Sequence, residues 1–179
     1  MASSLICSET QSRVSSVLNR DVKQYGKKYM FDCNEETCWN SDQGDCQWVS
    51  LEFPQSVKVS ELKVQFQGGF SSKTCRLHGC PKDGAFTQIC DLYPEDDNSL
   101  QIFPIQEAPA VDKVKIMFEN SADFFGRIIV YSLEILGEKP HDHFFKASRE
   151  RRGGSCVKCS MVWRHLGNMS AVLPPHELM

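Results

Sequence analysis

Apolar and polar residues alternate in short runs along this chain, and clusters of Gly, Pro, Asn, Asp and Ser separate the runs. Residues 47–53 open with Gln47-Trp48 and alternate, so they read as a strand that Pro54 is expected to stop. Residues 57–67 form the clearest long strand. Val57 and Val59 alternate in one phase and Leu62, Val64 and Phe66 in the other, and the change of phase predicts a bulge near Ser60-Glu61. Residues 86–92 are a further candidate strand, followed by the turn cluster Tyr93-Pro94-Glu95-Asp96-Asp97-Asn98. Residues 100–105 are short and apolar, and Pro104 predicts an edge position for them. Over 111–119, Val114, Ile116 and Phe118 face one way, and Lys113, Lys115 and Met117 the other. A last strand is expected over 127–136, with Ile129, Tyr131, Leu133 and Ile135 on one face and Gly137 closing it. Upstream, residues 12–19 are Ser-rich, and 26–31 suit a single helical turn. No long stretch has helical periodicity and no internal repeat is visible, so the pattern predicts an all-β sandwich or barrel.

The polar turn over 31–42 carries the element Thr37-x-Trp39-x-Ser41-Asp42, and a short spacer separates it from Trp48. An indole ring buries a large area, so both rings are expected to anchor the core at the start of a sheet.

Composition sets the outer bounds. At 179 residues the chain fits one ordinary domain with an extension, and no run approaches the roughly 18 apolar residues of a membrane span. The start, Met1 to Cys7, has neither a basic nor an apolar signal region, which predicts a cytosolic or nuclear protein. Nine Cys is an odd, scattered count and a poor disulfide framework, so reduced thiols are expected. Residues 1–137 hold 13 Lys or Arg against 19 Asp or Glu, a balance of −6, whereas 138–179 hold 7 against 4, a balance of +3. An acidic main domain is a poor counterpart for a phosphate backbone or an anionic membrane, so neither direct nucleic-acid binding nor membrane binding is expected.

In their order and spacing, Val14-Ser15-Ser16, the 31–42 turn, Gln47-Trp48-Val49, Val64-Gln65-Phe66-Gln67 and the stretch from Gly126-Arg127-Ile128-Ile129 to Gly137 resemble the discoidin, or coagulation-factor C-type, family. The resemblance implies a galactose-binding-like jelly-roll β-sandwich over residues 5–138. Secreted members clamp the first strand to the last with a disulfide; here the last strand contains no Cys. The likeness is closer still to a small intracellular branch of the family. It is carried by residues 12–20, 35–44, 65–72, 93–96 and 98–100 and by Asp123-Phe124-Phe125-Gly126-Arg127. That branch implies a nuclear location, an orphan nuclear receptor as protein partner, and repression by hindering the receptor's binding to DNA. Nothing carries over to 139–179, where basic Arg149 to Arg152 and Pro174-Pro175 predict a mostly disordered tail.

In this fold ligands meet the loops at one end of the sandwich, here 18–28, 40–46 and 68–76. These loops offer Leu18, Tyr25, Asp42, Asp45, Phe70 and Arg76 as partner-binding candidates, with Phe70 as an exposed apolar knob after two glycines. A carbohydrate site assembled from Tyr25, Asn40, Asp42 and Arg76 is the alternative, and an adaptor role in another intracellular complex is a third. The Phe124-Phe125 pair is expected to pack beneath the sheet, with Arg127 tying loops together. Cys156-x-x-Cys159 with His165 is half of a zinc site and needs further ligands such as His141 or His143, so no metal or cofactor is expected. No nucleophile, P-loop or metalloprotease motif occurs, and residues 1–137 contain one His, His78. A non-enzymatic binding protein is the expectation.

Overall fold

A computed structural model describes residues 2–140 and forms nine strands from them. The sequence expectations for His141, His143, Cys156, Cys159, His165 and the rest of the tail lie outside the described residues. The strands are β1 (Ser3–Ser4), β2 (Gln11–Val14), β3 (Trp39–Asn40), β4 (Cys46–Phe66), β5 (Ser72–Cys80), β6 (Thr87–Leu92), β7 (Leu100–Pro104), β8 (Val111–Ser121) and β9 (Ile129–Glu138). All their pairings are antiparallel. Three short helical turns, Leu18–Arg20, Val22–Tyr25 and Lys27–Met30, fill the connection from β2 to β3. The last of them matches the single turn expected over 26–31.

One strand builds both sheets. The first part of β4 lies between β2 and β8, and β5 and β6 continue that sheet beyond β8. The second part lies between β7 and β9, and β1 and β3 flank the far side of β9. Pro54 therefore does not stop the strand, contrary to the sequence expectation. Between the pairs Glu52↔Lys113 and Val57↔Val111 the register shifts, and the stretch containing Pro54 has no ladder partner. A missing N–H is harmless at a corner where the chain passes from one sheet to the other. The bulge expected near Ser60-Glu61 is present: the β9 register skips from Val59 to Glu61.

Side chains from both sheets meet in one core. Val49, Leu51, Ile116, Phe118 and Leu77 face Leu62, Val64, Phe66, Leu133 and Ile135. Trp39 and Phe66 flank Phe118, with ring centroids 6.1 and 5.7 Å away. The Trp39 indole N–H donates to the Ser16 carbonyl at 2.9 Å, which offsets the polar cost of its complete burial.

Three further sequence expectations differ from the structure. Trp48 is not a core anchor. It alternates with buried Gln47 and Val49, lies on the outer face, and carries the Lys115 ammonium 4.4 Å above its ring. Tyr131 does not share a face with Leu133 and Ile135. The register between β4 and β9 skips a residue there, so Val130, Leu133 and Ile135 point inward instead. Ser72–Cys80, expected partly as loop, is a strand between β8 and β6. Its Cys75 and Leu77 are buried, while polar Arg76 and His78 mask the alternation on the other face.

Candidate functional site

The strand ends bring several loops together at one end of the sandwich: 15–17, 40–45, 67–71, 96–98 and 122–128. Their backbones are laced by hydrogen bonds. Ser41 N–H donates to the Ile128 carbonyl (2.9 Å), Gly44 N–H to Phe125 (3.1 Å), Ala122 N–H to Ser71 (2.9 Å) and Ile129 N–H to Phe70 (3.1 Å). The buried Ser41 hydroxyl adds a further tie by accepting from Ile128 N–H at 2.8 Å. This explains the Ser of the Thr-x-Trp-x-Ser-Asp element: it fastens the 40–45 loop to the entry of β9.

Gln47 performs the same service on the other side. Its side-chain oxygen accepts from the Ser16 hydroxyl (2.7 Å) and its amide donates to the Asp42 carbonyl (3.0 Å). Asp42 N–H in turn donates to Ser16 Oγ at 3.0 Å. The polar residues of this end are therefore internal fasteners, and most of them are satisfied by one another.

The turn at 122–128 is the best-braced of the loops. Asp123 accepts from Arg127 three times, from the backbone N–H (3.1 Å), Nε (3.0 Å) and Nη2 (3.2 Å). The Arg127 guanidinium beside it holds the Asp123 carboxyl below its ordinary value, and the same bond raises Arg127. Arg127 also lies over the Phe70 ring (5.1 Å) and the Phe125 ring (5.9 Å). Gly126 has φ +80 and sits so close to Gly44 that a Cβ would fall 1.9 Å from the Gly44 carbonyl oxygen. In the next loop Asp96 accepts from the Ser71 hydroxyl (2.7 Å) and Gly69 N–H (2.8 Å), and these bonds hold its carboxyl below the usual range.

This frame holds two aromatic rings in solvent. Phe124 is 94% exposed and Phe125 54%, and they meet edge to face at 5.3 Å. The expectation that they pack beneath the sheet is thus overturned. Of the residues just after the turn, Ile128 and Val130 are the ones that join the hydrophobic core. The expected role of Arg127 in tying loops together holds.

The structure distributes the sequence candidates unevenly. Asp42 and Asp45 lie in the 40–45 loop against the Phe125-Gly126 backbone, Asp42 half-buried and Asp45 exposed. Phe70 is adjacent but is not the expected exposed knob: it is half-buried beneath Arg127. Leu18 is half-buried in its 3-10 turn. Tyr25 lines a shallow depression with Tyr29, Thr37 and Cys38. Arg76 is not on a loop at all. It stands mid-strand on the outer face, between Asp91 (3.7 Å) and Glu119 (3.3 Å). The carbohydrate set of Tyr25, Asn40, Asp42 and Arg76 is therefore not assembled into one site.

No family model matches the chain. It is 73% identical over 139 residues to the nuclear receptor 2C2-associated protein of Danio rerio, a match spanning 78% of this chain and 99% of the relative. The proteins of the same name from Homo sapiens and Xenopus tropicalis are 60% and 61% identical, over 99% and 100% of their lengths and 78% and 76% of this chain. The chain belongs to the nuclear receptor 2C2-associated protein family. Among solved structures, its fold is similar to the F5/8 type C domain of a Bacteroides fragilis protein. That likeness has a TM-score of 0.67 at 12% identity, over 77% of this chain and 97% of that one. It is also similar to the family 32 carbohydrate-binding module of C. perfringens NanJ in complex with galactose, at TM-score 0.64 and 16% identity, over 76% and 99%. These confirm the galactose-binding-like sandwich implied by the sequence resemblance.

In this member of the nuclear receptor 2C2-associated family, a groove of about 450 Å³ also runs along the outer face of the β9 sheet, between Tyr131, Leu100 and the Phe31–Glu35 turn. The seven cysteines among the described residues are free thiols. Burial pushes the Cys75 thiol up to about 12, so it is a core side chain and no nucleophile. Sequence reasoning missed Phe124 and Phe125 as surface residues. The available signal was the Asp123/Arg127 spacing around a Gly, which marks a self-braced turn.

Proposed function

We propose that this protein is a non-enzymatic nuclear protein-binding module that associates with nuclear receptor 2C2 and represses it by hindering the receptor's binding to DNA. The observation that carries this reading is the 60–73% identity to relatives named for that receptor, over 99% of their lengths. A sandwich suits such a role, because it is stiff, its polar loop groups are satisfied internally, and its balance over residues 1–137 is −6. An acidic body docked on a basic DNA-reading surface competes with phosphates for the same charges, and complementary charge speeds the encounter.

The test is electrophoretic mobility of the receptor on its DNA element with increasing amounts of the purified protein. The expected outcome is a graded loss of the receptor–DNA complex, with receptor affinity for the protein falling as salt rises. Unchanged DNA occupancy at saturating protein refutes the masking mechanism, and an affinity indifferent to salt refutes its electrostatic part.

A further inference from the structure

We propose that the Phe124-Phe125 pair is the anchor of a protein-docking surface, and that its occupant is an apolar pocket set in a basic surface of the receptor. The proposal deepens the receptor reading above and rests on it.

The first ground is rigidity. An exposed aromatic on a mobile loop loses much of its binding energy to ordering. Here the ordering is already done in the free protein. Asp123 clamps Arg127 through three hydrogen bonds, Gly126 abuts Gly44, and Ser41 and Gly44 fasten both sides of the turn. Each of these groups is polar or has no side chain, and none needs Phe124 for its own packing. The ring at position 124 contributes little to the fold, for it is 94% exposed. A braced turn that presents two phenyl rings to water has the form of an interface hot spot, a preorganised apolar anchor with a polar surround.

The second ground is charge. The 40–45 loop, bonded to the turn through Gly44, carries Asp42 and Asp45, and the 67–71 loop, bonded to it through Ser71, is held from behind by Asp96, beside Asp97. The nearest cation in the turn, Arg127, is engaged by Asp123, and Lys73 stands near Asp96. The rings therefore emerge from an acidic rim. An anionic phospholipid surface or a phosphate backbone is disfavoured against it, and a basic protein surface is favoured. Apolar rings select the pocket and the carboxylates select the basic border.

The experiment is calorimetric titration of purified receptor with the full-length protein and its Phe124→Ala, Phe125→Ala and Phe124→Asp variants, with Phe86→Ala as control. Phe86 is exposed just before β6, at the end of the sandwich away from these loops. Thermal unfolding of every variant is expected to match the parent, because the rings are outside the core. The expected result is a loss of about 30-fold in affinity for each alanine variant. Phe124→Asp is expected to lose more, and Phe86→Ala to bind like the parent. Parental affinity in the Phe124 and Phe125 variants overturns the docking assignment alone and leaves the receptor reading intact. Absence of receptor binding by the parent protein overturns both. Binding of the parent to phosphatidylserine vesicles through Phe124, without receptor binding, assigns the knob to membranes and also overturns the proposal.

Discussion

Aromatic rings cluster in two regions of this protein, and the regions hold them by opposite means. In the interior, Trp39, Phe66 and Phe118 pack at 5.7–6.1 Å and their burial stabilises the fold. At the loop end, Phe124 and Phe125 are supported from behind by an ion pair, a glycine contact and a serine fastener, and they leave most of their surface in water. In the interior the rings stabilise the scaffold. At the loop end the scaffold stabilises a presentation of rings, and the apolar area left unburied is free for a partner.

The two indoles are expected to differ most. Trp39→Ala is expected to cost roughly 3–5 kcal/mol, because it empties a fully buried site beside Phe118. Trp48→Ala removes an outer-face ring and its Lys115 contact, and is expected to cost about 1 kcal/mol. Urea unfolding of the pair measures both, and equal losses would contradict the assignment of faces. Gly126→Ala comes next. The left-handed backbone and the collision with the Gly44 carbonyl are expected to cost roughly 3 kcal/mol in all. Faster amide exchange at Gly44 and Ile128 would show that the turn, and not the core, has loosened.

The polar support of the loop end has the smallest expected effect. Arg127 holds the folded-state pKa of Asp123 below its ordinary 3.8. The pair thus adds stability that is complete above that value and is lost as pH falls through the lowered one. Asp123→Asn is expected to cost about 1 kcal/mol at neutral pH and to flatten the stability loss below pH 3.8. Denaturant melts across the acid range check this, and a variant with the parent's acid slope would remove Asp123 from the account. Asp96, lowered by Ser71 and Gly69, contributes the same sign of dependence in both proteins.

Much of the fold is legible in the residue pattern, and the misses have identifiable causes. Over 111–119 the alternation of Val114, Ile116 and Phe118 maps directly onto the core. The phase change at Ser60-Glu61 marks a real bulge. The β5 strand is hidden because Arg76 and His78 occupy its outer face and Gly68-Gly69 precede it. Arg76 consequently reads as a loop residue, whereas Asp42, Asp45 and Phe70 do border the loop-end surface. The bulge at Tyr131 is invisible in the pattern because a one-residue skip leaves β-branched and aromatic residues on both phases of β9.

Periodicity and turn residues determined by themselves that this chain is an all-β sandwich or barrel, because a strand's two faces are written directly as alternation, and the resemblance carried by the order of its motifs implied the discoidin type. Only the tertiary structure decided which face looks inward at Trp48, where β4 bends past Pro54, and that Phe124 and Phe125 point away from the protein. Those choices depend on partners far away in the chain, such as β8 against β4 and Gly44 against Gly126. A local pattern records what a residue prefers. The space left by its distant neighbours settles whether that preference is met.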